Sequence, residues 1–299
     1  MRLSDLINLG NDIKIKRDAY FDSLGMATTK FKDNKVLSFL SDELYLDEIR
    51  KNKNIIALVT SEYIYSKSIL PEKLGIIVSE NPKLTFYKIH NVLAEKDFYS
   101  KKFDNVIDKS SKISSQAIIG NNNIIIGKNS IIEPGVVIHN GSIIGNNVII
   151  RSGSQIGTNG FQFLNLGETV LSVKTTGRTI IEDNVEIQHN CCIDRGVLGG
   201  DTIISHDVKI DNLVYIAHDD FIGERTFITA GVKLAGRVII GRDCWIGVNA
   251  TISNGINIGN NCKITLGSVV TKDVPDNQTV SGNFAIEHSK FINFIKSIR

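Results

Sequence analysis

Residues 204–223, ISHDVKIDNLVYIAHDDFIG, place an aliphatic side chain at every sixth position. The same phase runs from Ile204 to Val270 without a slip, and an earlier run extends from Ile126 to Ile156. An α-helix repeats every ~3.6 residues and a β-strand every two, so this period belongs to neither element alone. It predicts a solenoid in which each hexad supplies one short strand and one turn.

Three hexads are expected to close one triangular coil, which would stack the inward aliphatic side chains in columns. Turns are expected at strings such as GNNN (120–123), because Gly and Asn accept positive φ. The period breaks twice. The step across 156–181 exceeds four hexads by one position and predicts a projecting loop, and the step across 193–204 falls one position short of two hexads and predicts a small bulge.

The repeat resembles the hexapeptide-repeat proteins, and that resemblance implies a mainly β fold, a left-handed parallel β-helix. We assign the β-helix to residues 106–275. Residues 1–105 contain no hexads and are expected to form a small α/β domain, with a helix starting at the Asn-Pro of 81–98. Residues 276–299 are expected to form a C-terminal extension with a short amphipathic helix.

The charge balance excludes several classes of protein. The 299 residues include 34 basic and 32 acidic side chains, for a formal net charge of +2, which does not favour nucleic-acid binding.

Four cysteines show no zinc-ligand spacing, so we expect reduced thiols and no metal site. We find no leader peptide and no apolar run of membrane-spanning length, and we therefore expect a cytoplasmic protein.

Three histidines of the solenoid share one phase. His189, His206 and His218 each follow a hexad aliphatic by two positions, but the spacing places them on different faces of the coil. Only one of them can therefore face a given cleft.

His218 has carboxylates nearby at Asp211, Asp219 and Asp220. A carboxylate can hold one imidazole nitrogen protonated and leave the other free as a base. Asp211 is the candidate for this role, Asp219 or Asp220 could replace it, and all three could instead be solvated.

Several segments together resemble the UDP-3-O-(3-hydroxyacyl)glucosamine N-acyltransferase family of lipid A synthesis in Gram-negative bacteria, and the likeness covers nearly the whole chain. The segments are IDRG (193–196), IDNLVYIAH (210–218), GTNGFQF (157–163), FLSDELY (39–45), NPKLTF (81–86) and SGNFAIEH (281–288).

The resemblance implies that His218 is the general base, that Asp211 orients it, and that the acyl group passes directly from a thioester to the sugar amine. Gly236 lies three hexads beyond His218, one coil above it, so its N–H is a candidate for stabilising the oxyanion. The resemblance also implies a homotrimer and an acyl carrier protein as partners. No bound cofactor is expected, and the acyl thioester is a co-substrate.

In the N-terminal domain the resemblance implies that Phe39 and Tyr45 sandwich the uracil of the nucleotide sugar. Asp42 lies on the same segment, near the nucleotide. Asn159 and Phe161, on the projecting loop, are the remaining candidates for substrate contacts.

Four positions depart from the family pattern. Asp42 replaces an Asn, Leu44 a Lys, Gln162 a Gly, and Gly255 a His that helps to hold the diphosphate. These changes keep a second function open, an N-acyl- or N-acetyltransferase that uses acyl-coenzyme A on another nucleotide amino sugar. A non-catalytic β-helical scaffold is the third possibility.

Overall fold

The computed structural model describes residues 1–9, 13–27, 34–68, 70–96, 98–282 and 285–298. Residues 10–12, 97 and 283–284, which belong to segments discussed above, lie outside this description. The chain divides into two compact units. Unit 1 comprises 1–102, 159–177 and 196–200, and unit 2 comprises 103–158, 178–195 and 201–299.

Unit 2 is a parallel β-helix with three faces, each a stack of short parallel strands. Face I contains Val106–Ile107, Ile125–Ile126, Ser142–Ile144, Arg178–Ile181, Asp201–Ile204, Phe221–Ile222, Ile239–Ile240 and Asn257–Ile258. Face II contains Lys112–Ile113, Ile131–Ile132, Ile149–Ile150, Glu186–Ile187, Lys209–Ile210, Phe227–Ile228, Trp245–Ile246, Lys263–Ile264 and Thr279–Val280. Face III contains Ile118–Ile119, Val137–Ile138, Gln155–Thr158, Cys192–Asp194, Tyr215–Ile216, Lys233–Leu234, Thr251–Ile252 and Val269–Val270.

The strand register follows the three-hexad coil. Ile210 pairs with Ile228, and Ile216 pairs with Leu234, in each case three hexads later in the next coil. These in-phase aliphatic side chains are buried in one continuous core. The hexad period therefore predicted both the coil and its inward column.

A second inward column lies two positions before each in-phase aliphatic residue. It is filled mainly by side chains no larger than valine, with Ile124 and Ile256 as exceptions, because it occupies the tight inside of each corner. Its members are Ile124, Ser130, Val136, Ser142, Val148, Ser154, Thr179, Val185, Cys191, Thr202, Val208, Val214, Asp220, Thr226, Val232, Val238, Cys244, Ala250, Ile256, Cys262 and Ser268, all buried. Three of the four cysteines thus serve as small core residues.

Most turns use the expected Asn or Gly, or an Asp, whereas Leu213, Arg225 and Arg237 also adopt positive φ. Positive φ occurs at asparagines such as Asn129, Asn147 and Asn184, and at glycines such as Gly135 and Gly153. This φ is the left-handed conformation that Gly and Asn adopt at least cost.

Unit 1 contains a five-stranded sheet in the order Lys14–Arg17, Gly75–Val78, Ile55–Thr60, Val36–Leu40, Ser23–Leu24, as far as the described residues go. Its helices are α1 (Leu46–Lys51), α2 (Glu62–Lys67) and α3 (Pro82–Ala94), with 3-10 turns at Leu3–Leu9 and Glu43–Tyr45. Asn81 caps α3 by accepting from the Leu84 N–H, as the Asn-Pro start predicts.

The structure differs from the predicted domain boundaries at the two breaks of the period. The predicted loop is an antiparallel hairpin of Phe163–Asn165 and Val170–Ser172, and it packs into the core of unit 1 through Leu164 and Val173. Residues 196–200 join the same unit, where Val197 enters that core. The apolar side chains of these insertions explain why both pack with unit 1 and leave the solenoid.

The third boundary also shifts. Thr279–Val280 pairs with Lys263–Ile264, so the solenoid continues past residue 275. Helix α4 (His288–Ser297) then follows, and it buries none of its residues. No helix in the described parts of the chain has the length and apolarity needed to cross a membrane.

Candidate active site

The three histidines of the shared phase occupy three different corners of the β-helix, as their spacing predicts. His206 follows face I, His189 follows face II and His218 follows face III. We call the turn 217–220, between faces III and I, the His218 corner.

Contacts distinguish His206 and His189 from His218. His206 directs Nδ1 at Asp207 (2.9 Å) and Nε2 at Glu224 (2.5 Å), so both of its ring nitrogens are engaged. The hydrogen bond to Asp207 is the main reason that the pKa of His206 is raised. His189 directs Nδ1 at the Asn212 side-chain oxygen (3.0 Å), and its Nε2 lies 4.0 Å from Glu133.

His218 is held at one ring nitrogen only. Nδ1 lies 2.8 Å from a carboxylate oxygen of Asp219, and the histidine is 8% exposed. A carboxylate accepts and does not donate, so Nδ1 carries the proton and Nε2 presents its lone pair. Within the described residues, Nε2 has no hydrogen-bond partner. In this arrangement Nε2 is able to accept a proton.

Within one chain His218 contacts Asp219 and not the predicted Asp211, and the orienting role of either acid stays a prediction. Ile210 ends a face II strand, so Asp211 lies at the corner before face III, whereas His218 lies at the corner after face III. A strand of face III separates the two residues. The Asp211 carboxylate instead accepts from the backbone and side-chain N–H groups of Asn212.

Gly236 lies directly against the imidazole, one coil above it. A Cβ built on Gly236 would stand 2.7 Å from both Cε1 and Nε2 of His218. Because real Cβ atoms do not approach other heavy atoms so closely, a glycine is needed there if the ring keeps its place. The three-hexad spacing therefore correctly predicted that Gly236 lies beside His218. The role of Gly236 as an oxyanion donor stays a prediction.

Two further acids, Asp220 and Asp194, lie close enough to each other to interact electrostatically. Asp220 is fully buried in the small inward column and accepts from the Val238 N–H (2.7 Å) with one oxygen, and its other oxygen has no partner among the described residues. Burial raises the pKa of Asp220 well above its usual range. Asp194, also buried, accepts from the hydroxyls of Thr158 (2.5 Å) and Tyr215 (2.7 Å).

Sequence reasoning did not single out Thr158, Asp194 or Tyr215. The IDRG segment was a signal for Asp194, but its hydroxyl partners come from neighbouring coils. The break of the period at 158 concealed their alignment.

The predicted nucleotide residues lie in unit 1. Phe39 is half-buried and packs against Phe86 (ring centroids 5.0 Å apart) and Tyr87 (6.1 Å). Tyr45 is 55% exposed. Asp42 caps the 3-10 turn by accepting from the Leu44 N–H at 2.9 Å. Phe39 thus has a packing role, and the uracil sandwich stays a prediction.

Asn159 and Phe161 lie just before the hairpin, and Gly255 lies at the corner after face III, two coils above Asp219. Asn159 accepts from the Thr175 hydroxyl at 2.6 Å, and Phe161 is 84% exposed with its ring against Phe163. A Cβ at Gly255 would meet no atom within 4 Å, so the position of the missing family histidine is open space.

Relatives with a common name match most of the chain. A UDP-3-O-acylglucosamine N-acyltransferase of Helicobacter hepaticus is 30% identical over 298 residues, covering 93% of this chain and 90% of the relative. One of Fusobacterium nucleatum is 32% identical over 265 residues, covering 75% of this chain and 72% of the relative.

The repeat and the fold are shared with known transferases. Residues 123–158 match the family described as bacterial transferase hexapeptide (six repeats), and residues 237–272 match the hexapeptide repeat of succinyl-transferase. The crystal structure of a Francisella novicida UDP-N-acetylglucosamine acyltransferase aligns with a TM-score of 0.51 at 26% identity, covering 60% of this chain and 65% of that one. The expected left-handed parallel β-helix is thereby confirmed. From the extent of identity to its relatives, the chain belongs to the UDP-3-O-acylglucosamine N-acyltransferase family.

Proposed function

We propose that the chain is an N-acyltransferase of lipid A synthesis that acylates the amine of a UDP-linked amino sugar. The names of the relatives support the reaction class. The observation that carries the proposal is the state of His218, with Nδ1 on a carboxylate and Nε2 without a partner among the described residues. His206 and His189 share the phase of His218 and lack this combination.

In the proposed reaction the sugar amine attacks the carbonyl carbon of an acyl thioester, with no acyl-enzyme intermediate. As the N–C bond forms, Nε2 of His218 takes a proton from the nitrogen. The Gly236 N–H stabilises the negative oxygen of the tetrahedral intermediate. The C–S bond then breaks, and the proton passes from His218 to the departing thiolate.

Asp219 stabilises the imidazolium that forms when Nε2 takes the proton. At 2.8 Å from Nδ1, its carboxylate fixes the tautomer and the ring orientation together. Asp219 has φ +61°, and this backbone conformation belongs to the turn that places the carboxylate on the ring.

We further propose a homotrimer, acyl carrier protein as donor, and the uracil between Phe39 and Tyr45 of unit 1. The trimer is supported by an apolar ladder on the outside of face I. Its members, neighbours on successive strands, are Val106, Ile125, Ile143, Ile180, Ile203, Phe221 and Ile239. An unbroken apolar row of this kind is typical of an interface.

The experiment is a transfer assay in which the purified chain is incubated with UDP-3-O-acylglucosamine and either an acyl-carrier-protein thioester or acyl-coenzyme A. Mass spectrometry of the product identifies acceptor and donor. We expect His218→Ala to reduce kcat by about 10²–10⁴-fold, the usual contribution of a general base.

His189→Ala is the matched control, because it removes a histidine of the same phase from another corner and should leave kcat unchanged. Retention of activity in His218→Ala would eliminate the general-base role. Absence of transfer by the unmodified protein, with every donor and with other UDP-amino sugars, would favour the scaffold.

A further inference from the structure

The corners after faces I and II of the β-helix have a recurring cap. An Asn or Asp two positions after the inward aliphatic residue accepts a hydrogen bond from the backbone N–H at the same position in the coil below. The pairs are Lys128 N–H to Asn146 (2.8 Å), Asn146 N–H to Asp183 (2.7 Å), His189 N–H to Asn212 (3.1 Å), Arg242 N–H to Asn260 (3.1 Å) and Asn260 N–H to Asp276 (2.8 Å).

Asn254 occupies this position in the coil above Gly236 but has the opposite polarity. Its side-chain Nδ2 donates to the Gly236 carbonyl oxygen at 2.5 Å, and the side-chain oxygen does not take the Gly236 N–H. The same carbonyl also accepts from the Gly255 N–H at 3.1 Å. Two donors from one coil thus converge on the Gly236 carbonyl.

The Gly236 N–H is left uncapped as a result. Gly236 is buried, and its N–H finds no hydrogen-bond acceptor in the described parts of the chain. Buried backbone donors without an acceptor are rare in folded proteins. This one belongs to Gly236, the residue on which a built Cβ would stand 2.7 Å from Nε2 of His218.

We propose that Asn254 is a positioning residue that keeps the Gly236 N–H available to the reacting carbonyl. By donating to the Gly236 carbonyl, Asn254 fixes the peptide that follows Gly236 while its own acceptor oxygen stays away from the N–H. The inference rests on the proposed function, since it assigns a purpose to the oxyanion donor of that reaction.

The decisive variant is Asn254→Asp. A carboxylate has no donor for the Gly236 carbonyl, and at the equivalent position of the corner after face I, Asp183 and Asp276 both accept the N–H of the coil below. We expect the new carboxylate to capture the Gly236 N–H in the same way and to lower kcat by about 10²–10³-fold, the cost of losing one oxyanion donor. KM for the nucleotide sugar should stay within a factor of about two, because ground-state binding does not use this N–H.

Asn254→Ala separates positioning from general structural support. Alanine removes the donor but offers no acceptor, so the Gly236 N–H stays open and kcat should fall by less than ten-fold. A merely structural role would make the alanine variant as inactive as the aspartate variant, with a matching loss of thermal stability, and that result would overturn the inference.

A second measurement does not depend on activity. Hydrogen exchange read at the Gly236 amide should slow in Asn254→Asp relative to the unmodified protein and to Asn254→Ala, because the amide gains an acceptor. Equal exchange in all three would overturn the inference. Asn260→Asp is the control, since it retains the acceptor for the Arg242 N–H at another corner and should keep full activity.

The outcomes keep the two proposals apart. If the unmodified protein transfers acyl groups and His218→Ala does not, the proposed function stands whatever Asn254→Asp does. Full activity of Asn254→Asp in that setting would refute the role of Asn254 alone. Absence of transfer by the unmodified protein would refute the proposed function.

Discussion

At the residue scale, the contact between Gly236 and His218 sets a strict size limit. The two residues belong to adjacent coils, which are separated by the strand spacing of about 4.8 Å. The imidazole of His218 fits against the neighbouring coil only because Gly236 has no side chain. The backbone of Gly236 is not in the left-handed region, so space alone, and not φ, requires the glycine.

Gly236→Ala should therefore inactivate the enzyme without unfolding it. The new Cβ, 2.7 Å from Nε2, has to push the ring off its present position, and a displacement of about 1 Å costs roughly 10²-fold in rate. Steady-state kinetics would show this as a lower kcat, with an unchanged midpoint of thermal unfolding.

Gly282→Ala is the matched control for this substitution, because a Cβ there meets no atom within 4 Å. Equal kcat values for the two alanine variants would contradict a crowded ring.

Part of the His218 site could be predicted from the sequence. The phase of His218 identified its corner, and the three-hexad spacing identified Gly236. The six-residue phase could not decide which of the three acids contacts His218, since that contact depends on the backbone conformation of one turn. Asp219 has φ +61°, and its carboxylate reaches Nδ1, whereas Asp211 sits at the preceding corner.

At the element scale, the small inward column contains one carboxyl group among hydroxyl, thiol and aliphatic side chains. Asp220 stands between Thr202 in the coil below and Val238 in the coil above. The nearby acids Asp219 and Asp194 raise the pKa of Asp220 further. Burial therefore favours the protonated acid.

Asp220→Asn should change the pH dependence of stability. The unfolded carboxyl titrates near 3.8 and the folded one well above it, so at intermediate pH the folded state binds a proton that the unfolded chain has released. The free energy of unfolding of the natural chain therefore falls as pH rises through this window. Asparagine does not titrate, so urea unfolding at several pH values should show the variant gaining relative stability as pH increases.

Asp243→Asn provides a control of opposite sign. Its hydrogen bond with Arg225 lowers the pKa of the Asp243 carboxyl, so that group adds stability above its unfolded pKa and loses it on acidification. That variant should lose relative stability as pH rises. Parallel pH curves for the natural chain and Asp220→Asn would contradict a protonated Asp220.

The hairpin was the element that the sequence described least well. The break in the period located it, and a projecting loop was expected there. Its strands and its place in the core of unit 1 were not predicted, because Leu164 and Val173 find partners that are distant in sequence. Local periodicity contains no information about such long-range packing.

At the scale of the whole molecule, the three faces of the β-helix differ in composition on the outside. Face I presents its apolar ladder, whereas the same positions on face II include Glu186, Lys209 and Lys263. A protein–protein interface favours a surface that costs little free energy to desolvate. Of the three faces, face I has the longest continuous apolar row.

Phe221→Glu should therefore weaken the proposed trimer. The charge would enter the ladder between Ile203 and Ile239 and would be buried unpaired on association. Light scattering coupled to size exclusion should show a shift toward monomer at micromolar concentration.

Phe227→Glu makes the same change at the equivalent, similarly exposed position of face II, and it should leave the assembly intact. A trimer that survives Phe221→Glu and dissociates with Phe227→Glu would assign the interface to face II.

The two insertions leave the register of the β-helix intact. Ile144 pairs with Ile181 and Ile181 with Ile204, so the coil resumes its register although both intervening segments are longer than three hexads. An insertion that begins and ends at the same corner therefore leaves the strand register of the β-helix unchanged. Removing a single hexad between His218 and Gly236 would instead rotate every later coil by a third of a turn and carry the glycine to another edge of the prism. Removal of three whole hexads would preserve all edges and shorten the prism by about 4.8 Å.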